Sequence, residues 1–315
     1  DITNPHSGTI CGWIATGGLG LGAFKYGHVN NSVLAIRLLR PDGEWQTILP
    51  DQELFADIFG SEGQIGIVAG AVLRVGKQTY VSKPYAFSFE NSDTVNRFVQ
   101  LLNEWQLKPT SLLYFDPNYL ATTREIEKAK LIAQLPEAME SADAVRIARL
   151  RQDLDTVEKY AGLQHAVVME FDTKEDYQKA LKYPFFTFSP ERRRYRDLIF
   201  TSLSTTVAHK LWEHRYQPVE MKPQGPSMLV SEVILPLEKF SQYLNFIQSA
   251  ITSWTENPVK TEGHILNEKE ILLQTIILAD TQTFRHKLYL GLVPFMTQTA
   301  VFFAGHSYGF GIWNL

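Results

Sequence analysis

The chain has 315 residues, of which 44% are hydrophobic and 20% charged, as in soluble globular proteins and unlike disordered or fibrous ones. Its length exceeds the size at which one hydrophobic core usually stops growing, which predicts two domains. The formal net charge of −4 argues against nucleic acid as the main partner, because binding to phosphate backbones requires a broad basic surface. We therefore expect a small-molecule partner.

The number of cysteines indicates the cellular compartment that the chain is suited to. The single cysteine, Cys11, excludes an internal disulfide and any zinc site built from several thiolates. It favours a reducing, cytoplasmic setting. The first residues include neither a methionine nor a signal peptide, so we expect the chain to begin within a longer protein.

The stretch from Gly8 to Gly27, GTICGWIATGGLGLGAFKYG, is unusually rich in glycine. Glycine destabilises helix interiors, so the stretch predicts loops whose backbone approaches a ligand closely. It matches neither the G-x-G-x-x-G pattern of Rossmann sites nor the G-K-[ST] pattern of P-loops, and both require a helix where this sequence predicts a hairpin. Exposed backbone amides that coordinate an anion are the remaining option, which suits a dinucleotide.

The elements that follow complete a first region. Val33–Leu39 and Glu44–Leu49 predict a hairpin around an Asp-Gly turn. Gly60–Val75 predicts a turn that leads into a buried strand of β-branched residues. We expect residues 1–76 to form one unit, with a boundary in the polar stretch that ends at Pro84.

Strands and helices alternate in the second region. Apolar residues at helical spacing predict an amphipathic helix over Ser92–Trp105, capped by Ser92. This alternation predicts an α+β domain over residues 77–270, with helices on one face of a sheet. Residues 271–315 are expected to return to the interface between the two domains. The other predicted elements are a strand at Ser111–Phe115, a helical region from Arg124 to Tyr160, strands at Ala166–Phe171 and Met228–Leu235, and helices at Lys174–Leu181 and Leu237–Trp254.

The C-terminal stretch from Leu288 to Leu315 contains no Asp, Glu, Lys or Arg, which raises the question of a membrane span. Pro294, Gln298, His306 and four glycines are atypical of a transmembrane helix. The stretch therefore predicts a buried strand with a glycine-rich turn, and no membrane span.

Three motifs of the first region resemble the second half of the FAD-binding domain of the vanillyl-alcohol oxidase-like FAD-linked oxidases. The motifs are GTICGWIATGG, KYGHVNNSVLAIRLLRPDGEWQT and LFADIFGSEGQIGIVAGAVLRV, in the family's order and at its spacing. D-lactate dehydrogenases, glycolate oxidase D subunits and alkyl-dihydroxyacetonephosphate synthases belong to this family. The resemblance implies FAD as cofactor and an α+β fold, in which the second half of a PCMH-type FAD-binding domain precedes a ferredoxin-like substrate cap.

The same resemblance implies a set of FAD contacts, with tight turns that merely require glycine as the alternative. It also implies that the chain is truncated at both ends, because family members carry an earlier half of the FAD domain and a longer C-terminal tail. Cys11 stands where the family usually has glycine, and a thioether bond to the flavin is an alternative to a small residue in a tight turn. The implied FAD contacts are Pro5, Gly8, Thr9, Ile10, Gly12, Thr16, Gly17, Gly20, Tyr26, Gly27, Gly66, Ile67 and Val68.

Residues of the second region resemble the family's substrate site. LWEHR, which ends at Arg215, resembles the LWxxR motif of the 2-hydroxyacid members, in which the arginine holds the substrate carboxylate. A surface ion pair is the alternative. The family's metal-binding GHxGDGNxH motif is retained here only at Gly263 and His264, so we predict no catalytic metal.

The segment HSYGFGIWN resembles a glycine-rich return segment that some members place against the flavin ring. His306, Tyr308 and Asn314 are therefore candidate acid–base or hydrogen-bonding groups, with an aromatic-packed turn as the alternative.

Together the motifs predict an FAD-dependent oxidoreductase that oxidises a hydroxyl-bearing small molecule by hydride transfer to the flavin. A 2-hydroxy acid is one candidate substrate. The alternatives are a non-hydroxyacid alcohol or sugar-type oxidase and a non-catalytic flavin-binding subunit. The electron acceptor and assembly as a subunit or homo-oligomer stay open.

Overall fold

The computed structural model describes residues 8–76, 83–186, 192–216, 221, 227–255, 258–279 and 286–308. Two predicted site residues, Pro5 and Asn314, lie outside the described residues.

Helices and strands alternate along the described chain. The helices are α1 (Ile10–Ala15), α2 (Ala23–Tyr26), α3 (Leu54–Ile58), α4 (Ser92–Glu104), α5 (Pro117–Glu140), α6 (Ala144–Glu158), α7 (Lys174–Ala180), α8 (Thr205–Glu213), α9 (Phe240–Thr255) and α10 (His286–Phe302). The strands are β1 (Val33–Leu39), β2 (Trp45–Ile48), β3 (Ile67–Leu73), β4 (Tyr85–Phe89), β5 (Ser111–Phe115), β6 (His165–Glu170), β7 (Arg192–Tyr195), β8 (Leu198–Ser202), β9 (Ser227–Pro236), β10 (Lys260–Ile265), β11 (Glu270–Ala279) and β12 (His306–Ser307). Short 3-10 helices cover Val29–Ser32, Pro184–Phe186 and His214–Tyr216.

The first region contains a small antiparallel sheet in the order β2-β1-β3. The predicted hairpin is confirmed, and Gly43 takes the positive φ of 87° that its turn requires. The predicted buried strand is β3, but the prediction of burial is wrong. Only Val68 of β3 is buried in the core of this sheet, whereas Ile67 is 63% exposed. One side of the edge strand packs inward and the other faces outward.

The glycine-rich stretch forms two short helices, α1 and α2, so the prediction of loops without a helix is wrong. Thr9 caps α1, because its Oγ1 accepts a hydrogen bond from the amide of Gly12 at 3.0 Å. Ile14 then anchors α1 in the core of the small sheet. A side-chain cap and one buried anchor stabilise a helix that propensity alone disfavours.

The described residues of the second region build a nine-stranded antiparallel sheet in the order β12-β9-β11-β10-β5-β6-β4-β8-β7. All five residues of β5 are buried. Its alternate residues enter different cores, Leu112 and Tyr114 on one face and Leu113 and Phe115 on the other. Helices α4, α9 and α10 cover the first face and α5 and α8 the second, so the expectation of helices on one face only is wrong.

Most predicted elements of this region are confirmed, with small shifts in their ends. The predicted cap of α4 is wrong, because Asn91 rather than Ser92 accepts the hydrogen bond from the Thr94 amide, at 2.9 Å. The Ser92 hydroxyl is buried and accepts a hydrogen bond from Ser241. The predicted helical region from residue 124 to 160 divides into α5 and α6.

The predicted strand after Leu288 is wrong, because this part of the chain forms α10. Leu292, Met296 and Ala300 recur at helical spacing and pack into the core of the large sheet. The chain then returns as β12, which pairs with the edge of β9. Among the described residues, none of the helices combines the length and apolarity that crossing a bilayer requires.

Candidate functional site

A cleft of about 730 Å³ lies where the glycine-rich stretch and the small sheet meet the large sheet. Its size falls within the range of pockets that bind small molecules. The residues that line it come from both regions of the chain: Trp13, Gly20, Leu21, Gly22, Ala23, Tyr26, Gly27, His28, Val29, Ser32, Arg74, Val75, Gly76, Pro84, Thr110, Ser111, Glu170, Asp172, His209, Trp212 and Arg215.

Ion pairs and hydrogen bonds fasten the glycine-rich wall of the cleft to the large sheet. Lys25 of α2 forms salt bridges with Asp172 at 2.7 Å and with Asp176 at 2.9 Å, and the side chains of all three are largely buried. The hydroxyl of Tyr26 also donates a hydrogen bond to Asp172. The hydroxyl of Ser111 donates to the carbonyl of Leu21. These contacts hold α2 beside the start of β5 and the end of β6.

Trp13 supplies an unsatisfied donor on this wall. A Cβ at Gly18 would lie 1.9 Å from the indole ring, so only glycine allows Trp13 to pack here. The indole Nε1–H is buried and has no hydrogen-bond partner among the described residues. A buried donor without a partner is costly, which makes it a natural contact for a polar ligand atom.

The opposite wall carries the predicted substrate arginine. Ser204 caps α8, which ends at Glu213 and is continued by the 3-10 helix that contains Arg215. The Arg215 guanidinium donates to the Trp212 carbonyl at 2.7 Å and lies 4.6 Å from the centre of the Trp212 ring. Hydrogen bonding and stacking hold this cation at the cleft.

Two carboxyl groups at the end of β6 have pKa values shifted in opposite directions. Burial raises the pKa of Glu170 to about 7, and nearby Arg215 opposes this shift. Burial also acts to raise the pKa of Asp172, but hydrogen bonds from Lys25 and Tyr26 hold that pKa below its ordinary value. The sequence prediction missed Glu170. A carboxylate directly after the buried run Ala166–Met169 was the available signal, since charged residues are rarely half-buried without a reason.

The cleft brings together some of the residues predicted for FAD and for substrate. Gly20, Tyr26 and Gly27 line it together with Arg215. Gly27 has a φ of 74°, which favours glycine, and a Cβ there would lie 2.3 Å from Asn31.

The other predicted FAD residues lie outside the lining described above. Gly8, Thr9, Ile10, Gly12, Thr16 and Gly17 belong to α1 or flank it, and Gly66, Ile67 and Val68 lie at the start of β3. A Cβ at Gly66 would lie 2.7 Å from the Leu39 carbonyl oxygen, so this glycine permits the close approach of two strands. The Val68 side chain belongs to the core of the small sheet.

The return segment contacts the glycine-rich stretch without lining the cleft. The Tyr308 hydroxyl accepts a hydrogen bond from the Leu19 amide at 2.8 Å and donates to the Gly17 carbonyl at 3.3 Å. Burial raises the pKa of Tyr308 to about 12. His306 is exposed on the edge strand β12. Tyr308 therefore positions the glycine-rich stretch.

Two further residues that the sequence singles out also lie outside the cleft lining. His264 is one of the two residues retained from the metal motif, and burial lowers its pKa to about 4. Within the ranges that the structure describes, no group of three or more His, Cys, Asp or Glu side chains could hold a metal ion. Cys11 is a free, half-buried thiol that packs against the core of the small sheet.

Known proteins resemble the chain in sequence and in fold. It is 29% identical over 112 residues to alkyldihydroxyacetonephosphate synthase of Trypanosoma brucei brucei, and this match covers 34% of this chain and 18% of that protein. It is 23% identical over 234 residues to D-lactate dehydrogenase of Archaeoglobus fulgidus, and this match covers 69% of this chain and 50% of that protein. No protein-family model matches.

Two solved structures of alkyldihydroxyacetonephosphate synthase, from P212121 and P1 crystals, superimpose on 97% of the chain with TM-scores of 0.66 and 0.62. The chain has the fold of the matched part of this synthase. Sequence identity in these superpositions is 16% and 15%, and the chain covers 55% of each solved chain. It therefore spans about half of the length of the solved relatives, and half or less of the curated ones.

These findings confirm the resemblance to FAD-linked oxidases that the three motifs indicate. They also confirm the fold class, a mixed α+β fold. The assignment of individual site residues and of domain limits stays a prediction.

Proposed function

We propose that the protein is an FAD-dependent oxidoreductase whose cofactor lies in the cleft between the glycine-rich stretch and the large sheet. One observation carries the proposal. Residues that separate motifs of the same resemblance predict for the cofactor, Gly20, Tyr26 and Gly27, and for the substrate, Arg215, line the same cleft although they are far apart in sequence. Similarity to an enzyme named D-lactate dehydrogenase supports an oxidoreductase.

The residues of the cleft fit a flat, anionic dinucleotide. Trp13 offers a buried N–H without a partner, Gly20 and Gly27 line the cleft without a side chain, and Arg74 supplies a positive charge. When bound, the flavin supplies the hydride acceptor. The chain's own contribution is to bind and orient, since the redox chemistry belongs to the cofactor. The proposed cofactor site also includes the other FAD contacts that the resemblance implies.

We propose an anionic, hydroxyl-bearing substrate such as a 2-hydroxy acid. The planar guanidinium of Arg215 would bind its carboxylate through parallel hydrogen bonds and so fix the carbon that bears the hydroxyl. Stacking on Trp212 restricts the guanidinium and thereby its ligand. The division into a cofactor unit (1–76), a substrate cap (77–270) and a returning segment (271–315) stays part of the proposal. Among the described residues, β11 and α10 pack with the large sheet of the cap, and Tyr308 joins this part of the chain to the glycine-rich stretch.

The cofactor assignment is tested by the substitution Trp13→Phe, which keeps the ring packed on Gly18 but removes the unpaired N–H. Loss of a hydrogen bond should weaken FAD binding by about 0.5–1.5 kcal/mol, roughly twofold to tenfold in the dissociation constant. The measurement is FAD affinity after removal of the cofactor and titration with fresh FAD.

The matched control is Trp45→Phe, since Trp45 is an exposed tryptophan on β2 that does not line the cleft. Its FAD affinity should equal that of the parent protein. Equal affinities of all three proteins would remove Trp13 from the cofactor site. Failure of the parent protein to bind FAD at all would overturn the proposed function.

A further inference from the structure

We propose that the side-chain carboxylate of Glu170 accepts the hydroxyl proton of the substrate held by Arg215. This inference rests on the proposed function and names the proton acceptor for it. It is carried by the position of Glu170 in the cleft, by the state of its neighbours and by the chemistry that alcohol oxidation requires.

Glu170 is placed by the large sheet. It is the last residue of β6 and pairs with Ser111 of β5, another residue of the cleft lining. Its side chain lies on the same face as Ala166 and Val168, because alternate residues of a strand share a face. This face lies against α8 and the glycine-rich stretch, from which Arg215 and Leu21 reach the cleft. Strand pairing thus fixes the carboxyl at the junction of the predicted cofactor and substrate walls.

Glu170 differs from the neighbouring acid of the cleft in its partners. Asp172 is engaged by Lys25 and Tyr26, which hold it ionised and occupied. Among the described residues, the Glu170 carboxyl has neither a hydrogen bond nor an ion pair, and its principal electrostatic partner is Arg215. A base that exchanges protons with a ligand must be accessible and unengaged, which describes Glu170 and not Asp172.

Other titratable groups also line the cleft, and the Glu170→Gln variant tests Glu170 against them. Burial lowers the pKa of His28, and burial together with Asp172 raises that of Tyr26. The charged or titratable groups that line the cleft with Glu170 are Tyr26, His28, Arg74, Asp172, His209 and Arg215.

The O–H bond of the substrate breaks and its proton passes to the Glu170 carboxylate, while the C–H bond breaks and its hydrogen leaves with two electrons as hydride to the oxidant, the flavin of the proposed function. A carbon–oxygen double bond forms, so a 2-hydroxy acid becomes a 2-oxo acid. The protonated Glu170 then returns its proton to solvent. General-base catalysis of this kind contributes about 10²- to 10⁴-fold to the rate.

The first test is the pH dependence of kcat/KM with D-lactate as the probe substrate. The base must be ionised to accept a proton, so kcat/KM should rise with pH and level off above the pKa of Glu170, which burial raises to about 7. Glu170→Gln should lower kcat/KM by about 10²- to 10⁴-fold and abolish the rising limb. Glu175→Gln, the same change at an exposed position of α7, should leave the profile unchanged.

The second test needs no turnover and uses oxalate, an anion that has no hydrogen to lose. A negative charge next to Glu170 favours its protonated form, so oxalate binding at about pH 7 should take up a proton. Calorimetric titrations in two buffers of different ionisation enthalpy measure this uptake. Glu170→Gln should abolish the uptake and Glu175→Gln should retain it.

The outcomes separate this inference from the proposed function. If oxalate binds in a manner that requires Arg215, but the uptake is absent or persists in Glu170→Gln, Glu170 is not the proton acceptor and the proposed function stands. An unchanged pH profile in Glu170→Gln has the same meaning. If D-lactate is not oxidised and oxalate does not bind, the proposed 2-hydroxy acid function fails, and this inference fails with it.

Discussion

Arg215 is held in place by contacts within its own segment of the chain. Its guanidinium is oriented by the Trp212 carbonyl and by the Trp212 ring, both supplied from the same helical segment. These contacts place the arginine of the LWEHR motif at the cleft, and its role in binding stays a prediction.

The substitution Arg215→Lys keeps the positive charge but removes the planar fork and the stacking on Trp212. We expect a loss of about 1.5–3 kcal/mol in transition-state binding, the range for a hydrogen bond to a charged group, or roughly a tenfold to hundredfold drop in kcat/KM. The measurement is kcat/KM for the best 2-hydroxy acid, compared with Arg146→Lys, a change in a surface pair with Glu137. A purely structural role for Arg215 would instead lower Tm and spare kcat/KM.

At the scale of secondary-structure elements, α2 depends on its ion pairs. This helix has only four residues, and its own hydrogen bonds cannot keep so short a segment in place. Lys25 joins it to Asp172 after β6 and to Asp176 in α7. We therefore attribute the position of Tyr26 and Gly27 in the cleft to this link between the two regions.

Removing the link with Lys25→Met should destabilise the protein by about 1.5–3 kcal/mol, because two largely buried carboxylates lose a charged hydrogen-bond donor. Flavin content should fall with it. Chemical denaturation and released FAD measure the two effects. The control Arg146→Met breaks a more exposed pair and should leave the free energy of unfolding nearly unchanged. Equal losses in both variants would show that Lys25 has no special role.

Elements were predictable from the sequence where local signals and tertiary packing agree. The hairpin of β1 and β2 has both an Asp-Gly turn and β-rich flanks, and β5 matches its predicted range. The prediction was wrong where packing overrides propensity. α1 forms in a glycine-rich stretch because Thr9 caps it and Ile14 is buried, and α10 persists through Pro294 because its apolar face packs in the large core.

The candidate site was only partly predictable for a related reason. The motifs pointed to Gly20, Tyr26, Gly27 and Arg215, but no local pattern shows that a strand end at Glu170 lies beside them. Pairing of β5 with β6 and the docking of α8 create that proximity. Sequence resemblance finds residues that act within motifs, whereas the fold is needed to find residues that act across them.

At the scale of the whole molecule, two sheets with separate cores meet at one cleft. The small sheet carries the glycine-rich stretch, and the large sheet carries Glu170 and, through α8, Arg215. The returning segment joins them, since Tyr308 bonds to the backbone at Gly17 and Leu19. A cofactor on one wall and an anion on the other would therefore be in direct contact.

The most direct measurement of this central claim is the visible absorption spectrum of the flavin-loaded protein during titration with oxalate. An anion bound at Arg215 beside the flavin alters the electrostatic environment of the flavin, so we predict a saturable spectral shift that Arg215→Lys weakens by roughly tenfold or more in oxalate affinity. A spectrum that oxalate leaves unchanged, or a shift of equal affinity in Arg215→Lys, would contradict the shared cleft.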